Sequence, residues 1–122
     1  MNIEVKPLRW VGSAKKDLSA MPEVVQDTFG YALHLAQIGY THSQAKVLRG
    51  FIGTSVLEIA EDYLGDAYRA IYTPRLLGAV YVLHCFQKKS KRGIQTPRQD
   101  IELVRQRLKA ATEHAQKGTG DD

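Results

Sequence analysis

Two adjacent stretches carry the residues best suited to chemistry: Tyr68-Arg69-Ala70-Ile71-Tyr72 and His84-Cys85-Phe86-Gln87-Lys88-Lys89-Ser90-Lys91-Arg92. Each reads as a β-strand, so together they set a cluster of cations at strand edges in one small domain. Cations held by a sheet can grip a phosphate backbone. They also stabilise the extra negative charge that builds up when a phosphodiester is broken. Arg69 suits this best, because a planar guanidinium can hold two phosphate oxygens at once. A strand arginine has a structural use as well, as the ion-pair partner of Glu58 or Glu61 on the neighbouring strand. The Lys-Lys-Ser-Lys-Arg run equally reads as a solvated charge run.

Other side chains have two readings each. Glu58, on a strand beside Arg69, could act as a general base or as the arginine's counter-ion. His84 has the right ordinary pKa for proton transfer, but alternation puts it on the face of Val80, Val82 and Phe86, which predicts a core histidine. His34 falls on a helix surface, His42 in a loop and His114 near a fraying end. Tyr68 and Tyr72 alternate onto the face opposite Arg69 and belong to the core, whereas Tyr40 and Tyr63, in loops, could stack on an unpaired base. One cysteine and four scattered histidines show no paired ligand spacing, so neither a metal nor a cofactor is expected. There is no glycine-rich phosphate loop and no Gly-x-Ser-x-Gly nucleophile pattern.

The whole chain sets bounds on these readings. Its 122 residues predict one domain over 1–122, with 116–122 as a frayed tail. A formal charge of +4 and a pI near 9.3 lean mildly towards an anionic partner. The single Cys85 excludes an internal disulfide framework and fits a reducing compartment. No apolar run approaches the about 20 residues that span a bilayer, and no charged-then-apolar signal opens the sequence. The expectation is a cytoplasmic protein without a membrane partner.

The elements that must position the cations follow from periodicity. Val5 to Val11, interrupted by Pro7, reads as an edge strand or extended lead-in. Ser13 can cap a short helix bearing Ala14, Leu18 and Met21, and Pro22 opens a second with Val25, Phe29, Ala32 and Ala36 buried and Gly39 as its stop. Tyr40 to Gly53 reads as a connector carrying Lys46 and Arg49. From Ser55 the period becomes two: strands over 55–61, 67–73 and 79–87, joined by turns at 62–66 and 74–78, make an antiparallel meander. Thr96-Pro97-Arg98-Gln99 then starts a helix with Ile101, Val104, Leu108 and Ala111 as its apolar stripe. The fold class is α+β: an N-terminal strand and helical hairpin, a three-stranded antiparallel meander and a C-terminal helix, with the helices covering one sheet face.

This order, and the segments Lys6-Pro7-Leu8-Arg9-Trp10, Ala45-Lys46-Val47-Leu48-Arg49-Gly50, Val56-Leu57-Glu58-Ile59, Tyr68 to Tyr72, Val82 to Ser90 and Thr96-Pro97, resemble the RelE/ParE toxin superfamily, in particular its HigB-like, phage-associated branch. The resemblance runs from Lys6 to Ala111 and implies a RelE-like fold. It further implies the toxin of a type II toxin–antitoxin system: a metal-independent, ribosome-dependent messenger RNA endonuclease that inhibits translation. Its partners would be the ribosome and a cognate antitoxin, often a helix-turn-helix protein.

By that resemblance Arg69 matches the arginine of the tyrosine–arginine strand motif, and Lys88 and Lys89 stand where the family's sheet places a catalytic or phosphate-binding cation. Glu58 joins them as a candidate catalytic residue, and Lys46, Arg49, Lys91 and Arg92 as candidate RNA contacts. Ala60 departs from the pattern, since many relatives carry arginine two positions after that glutamate. Its loss shifts weight onto Lys46, Arg49 and the lysine pair. Two alternatives stay open: a non-cleaving toxin or binding module acting on DNA gyrase or nucleic acid, and a phage relic whose toxicity has gone.

Overall fold

The computed structural model describes residues 4–88 and 95–120. Lys89, Lys91 and Arg92 lie outside the described residues. The centre is the expected meander: β3 (Leu57–Tyr63), β4 (Asp66–Leu76) and β5 (Ala79–Lys88), paired antiparallel. Its two connections are two-residue turns, Leu64-Gly65 and Leu77-Gly78, in which both residues take positive φ. Such turns match the right-handed twist of the flanking strands. The second turn lies later than the sequence predicts, because β4 continues through Pro74 to Leu76, with a pairing irregularity between Thr73 and Leu76.

The sheet is wider than the meander. β1 (Leu8–Trp10) pairs parallel with β5, and β2 (Ala45–Val47) pairs antiparallel with β3, giving a mixed five-stranded sheet in the order β1-β5-β4-β3-β2. The strand within the expected 40–53 connector escapes sequence reading because three residues are too few to show a period of two.

The helices do not share one face. α1 (Ala14–Ser19) and α2 (Glu23–Gln37) pack Leu18, Val25, Phe29, Ala32 and Leu33 against Leu57, Ile59, Tyr68, Tyr72, Val80 and Val82. α3 (Arg98–Gly120) packs Val104, Ala111 and Ala115 on the opposite side, against Val56, Ile71, Tyr81 and Leu83. The expectation of a single covered face is therefore corrected. Both sheet faces are apolar in the meander, and each needs a layer to bury it. Full burial of a side chain such as Phe29 contributes about 2–3 kcal/mol.

α2 ends as predicted, with Gly39 at φ 91°. α3 starts at Arg98, with the Pro97 carbonyl accepting from the amides of Asp100 and Ile101. It runs to Gly120, into the stretch where the sequence predicts a frayed tail. Among the described residues no helix is long and apolar enough to cross a membrane.

Arg107 locks the layers together. Its guanidinium donates to the Leu83 carbonyl at 2.9 Å and to Ser13 Oγ at 3.0 Å, joining α3 to β5 and to the start of α1. Gly12, at φ 56°, makes this possible: a Cβ there would lie 2.9 Å from Arg107 Nε.

Candidate active site

One irregularity in β5 decides which side chains meet. Ile71 pairs with His84, but Tyr72 pairs with Val82, so Leu83 is an extra residue and β5 carries a bulge. Before the bulge Tyr81 faces α3 while Val80 and Val82 face α1 and α2. After it the assignment of odd and even positions reverses. Cys85 joins the α1–α2 side, and His84 and Phe86 turn towards α3. The predicted grouping of His84 with Val80 and Val82 is thus overturned. A one-residue insertion flips every later side chain to the other face.

Arg69 is opposite Phe86 on one side and Ala60 on the other, so it also stands on the α3 face. Lys88 is two residues past Phe86 on that face and opposite Ala67. Both cations are largely buried, Arg69 8% and Lys88 5% exposed. Arg69 donates to the Tyr68 carbonyl at 2.9 Å and lies 3.7 Å from the Asp62 carboxylate. Its ion-pair partner among the described residues is therefore Asp62, not Glu58 or Glu61, and Glu61 sits beside Tyr68 on the other face. The Asp62 side chain is 80% exposed, so water screens this pair strongly and a phosphate could displace it. Ala60 is the direct cross-strand neighbour of Arg69, so its small side chain leaves room beside the guanidinium.

Glu58 belongs to the same face, opposite Ile71 on β4 and Lys46 on β2. Thr96, just ahead of α3, donates its hydroxyl to Glu58 Oε2. That bond ties the carboxylate to the incoming helix, and no local spacing in the sequence connects residues so far apart. Lys46 and Arg49 are exposed at the β2 side of this surface. Tyr68 and Tyr72 lie in the core on the opposite face, as alternation predicts. Tyr40 is exposed and Tyr63 packs partly against the α1–α2 core.

His84 is stacked on Phe86, with ring centroids 4.5 Å apart, and its Nε2 is 2.8 Å from Asp100 Oδ1 in the first turn of α3. Nδ1 is buried and has no hydrogen-bond partner among the described residues. The ring is buried as expected of a core histidine, but what fixes it is a carboxylate that sequence reading did not connect to it. A groove of about 1130 Å³ opens beside this pair, between the α1–α2 corner and α3. Asp17, Met21, Tyr68, Phe86, Gln99 and Asp100 line it. β1 pairs with β5 only over Val80–Val82, so the later part of β5 has no strand on this side among the described residues.

The remaining reactive groups are structural. Burial pushes the Cys85 thiol up to about 12; Asp17 adds to that shift and Arg107 opposes it. Burial likewise pushes the Tyr72 phenol up to about 12. Neither is a nucleophile near neutral pH. His114 bonds the Tyr81 hydroxyl at 2.9 Å and helps seat the far part of α3. Among the described residues no cluster of three or more His, Cys, Asp or Glu could hold a metal.

The sheet face beside the start of α3 therefore gathers two sheltered cations, a tethered carboxylate and an exposed basic margin. Such a set can bind a phosphodiester, oppose its developing charge and accept a proton. The family described as Phage derived protein Gp49-like (DUF891) matches residues 16–109. That stretch holds all the described candidate residues, and the chain belongs to this family, which is RelE/toxin-like. No curated protein and no solved structure matches the chain.

Proposed function

We propose that this chain is the toxin of a type II toxin–antitoxin pair, of the HigB-like branch of the RelE/ParE superfamily, and that it cleaves messenger RNA on the cytoplasmic ribosome without a metal ion. The observation that carries the proposal is that Arg69, Lys88, Glu58 and Lys46 share one sheet face, with Glu58 tied to Thr96 just ahead of α3. Membership of a RelE/toxin-like family supports it.

In the reaction the 2′-hydroxyl oxygen attacks the adjacent phosphorus, and the bond from phosphorus to the 5′-oxygen breaks. A 2′,3′-cyclic phosphate and a free 5′-hydroxyl result. Glu58, held by Thr96, takes the 2′-hydroxyl proton. Arg69 leaves its loose contact with Asp62 and holds the non-bridging oxygens, while Lys88 offsets charge on the same face. The leaving 5′-oxygen takes a proton from solvent water, and Glu58 returns to solvent the proton it accepted. Lys46 and Arg49 contact flanking phosphates. The cognate antitoxin, a helix-turn-helix protein in the superfamily pattern, would cover this surface.

The test is primer extension on cellular messages after brief induction, with Arg69→Ala alongside. Discrete cuts within translated frames, lost in the mutant, are expected; full toxicity of Arg69→Ala would overturn the assignment. The deep burial of Arg69 and Lys88 favours one second reading, in which these cations brace the sheet and the toxin acts by binding gyrase or nucleic acid without cleavage. Growth arrest with intact messages and altered DNA supercoiling would select it.

A further inference from the structure

The bulge in β5 decides which face carries Lys88, and the apolar pattern of the strand does not decide the bulge. Residues 79–86 are apolar throughout except His84. Val80, Val82 and Cys85 are buried on the α1–α2 side, and Tyr81 and Leu83 on the α3 side. In a strand covered on both faces, a one-residue slip exchanges apolar groups between two apolar layers, so patterning resists it weakly. The competing register has no bulge. It would pair Leu83 with Ile71, Cys85 with Arg69 and Phe86 with Tyr68, where the observed pairs are His84 with Ile71, Phe86 with Arg69 and Gln87 with Tyr68. Lys88 would then fall on the α1–α2 side, away from Arg69.

Two polar contacts hold the bulge, and both come from α3. Asp100 Oδ1 is 2.8 Å from His84 Nε2, and Arg107 donates to the Leu83 carbonyl at 2.9 Å. Leu83 and His84 are the two residues of the bulge. Asp100 and Arg107 stand two helical turns apart on one stripe of α3, with Val104 buried between them. The guanidinium is itself held from behind. It donates to Ser13 Oγ, whose hydroxyl donates to Asp17, and Gly12 leaves the space it occupies. A bulge carbonyl off the ladder needs a donor, which accounts for one contact. A grip on both bulge residues from one helix stripe does more, because a slip would break the two together.

We propose that Arg107 and Asp100 are positioning residues: they pin the β5 bulge, so that α3 sets the register which puts Lys88 on the face of Arg69. Neither side chain has to touch RNA. The consequence for cleavage rests on the function proposed above; the hold on the register does not.

The test reads the register directly, by cross-strand nuclear Overhauser contacts in isotopically labelled full-length protein. The parent chain should show Arg69 against Phe86. Arg107→Met removes the guanidinium, whereas Gly12→Ala displaces it and leaves Arg107 in the chain, since the new Cβ would lie 2.9 Å from Nε. Each should add a second set of contacts, with Arg69 against Cys85. Asp100→Ala should do the same, and joined to Arg107→Met should make that set the major one. Phe29→Leu, a core change on the α1–α2 side, should lower the melting temperature without adding it. The native set alone in the folded variants would overturn the proposal, however far their melting temperatures fall. Should Arg107→Met not fold, Arg107→Lys, which keeps one donor, and Gly12→Ala carry the same reading. On RNA, Arg107→Met should lower kcat about tenfold or more with KM little changed, and lose little further when combined with Lys88→Met, because it acts through that lysine. Losses that multiply in the double variant would overturn the positioning role. A parent chain with the native register that cleaves no RNA would overturn the proposed function alone, and the contacts then decide the register by themselves.

Discussion

Glu58 shows what a single hydrogen bond decides. Strand spacing puts it on the cation face, but only the Thr96 hydroxyl holds its carboxylate in one orientation. If Glu58 is the base, Thr96→Val should lower the cleavage rate by about tenfold and Glu58→Gln by about a hundredfold, within the usual range for acid–base groups. Melting temperatures should move little. The double variant should lose scarcely more than Glu58→Gln alone, because Thr96 acts through Glu58. Cleavage rates that multiply in the double variant would show that the two side chains act independently. At this scale the sequence was legible where strand alternation sufficed, for Tyr68 and Tyr72 opposite Arg69. It was not legible for Thr96 and Glu58, for His84 and Asp100, or for the choice of Asp62 as the partner of Arg69. The first two depend on where α3 crosses the sheet, and the third on which carboxylate the strand twist brings near.

At the scale of elements, two hairpin turns and one bulge set the register that the site uses. The turns were readable as glycine-bearing breaks, yet the bulge at Leu83–His84 left no composition signal and inverted the reading of everything after it. The same level explains the two missed features of the sheet, a three-residue edge strand and a layer on each face. Each turn also carries strain. Leu64 and Leu77 adopt φ 50° and 47°, where an L side chain costs about 1 kcal/mol relative to glycine or asparagine. Leu64 is 84% exposed and Leu77 is exposed too, so neither loses much burial on replacement. Leu64→Asn and Leu77→Asn should each stabilise by about 0.5–1 kcal/mol and raise the melting temperature by roughly 2–6 °C. They sit at opposite ends of β4, so the gains should add. A fall in melting temperature for either variant would mean that its leucine contributes packing which the exposed surface does not reveal.

For the molecule as a whole, burial on both faces of the sheet ties stability to pH on the alkaline side. Tyr72 and Cys85 are both pushed up to about 12 from ordinary values of 10.0 and 9.0, by burial first of all. Folding therefore favours their neutral forms. Their contribution is whole below the unfolded-state values and is lost as pH rises through the interval from 9.0 towards 12, because the unfolded chain releases these protons first. Each group can steepen the loss by up to about 1.4 kcal/mol per pH unit while only its unfolded form ionises. Tyr72→Phe separates the two effects of the phenol. Its hydroxyl is buried without a partner among the described residues, so removing it should leave neutral-pH stability unchanged or slightly higher. Above pH 10 the variant should lose stability less steeply than the parent chain. Urea unfolding between pH 8 and 11 measures both. A parallel decline in the two proteins would place the alkaline sensitivity elsewhere, with Cys85→Ala as the next variant to compare.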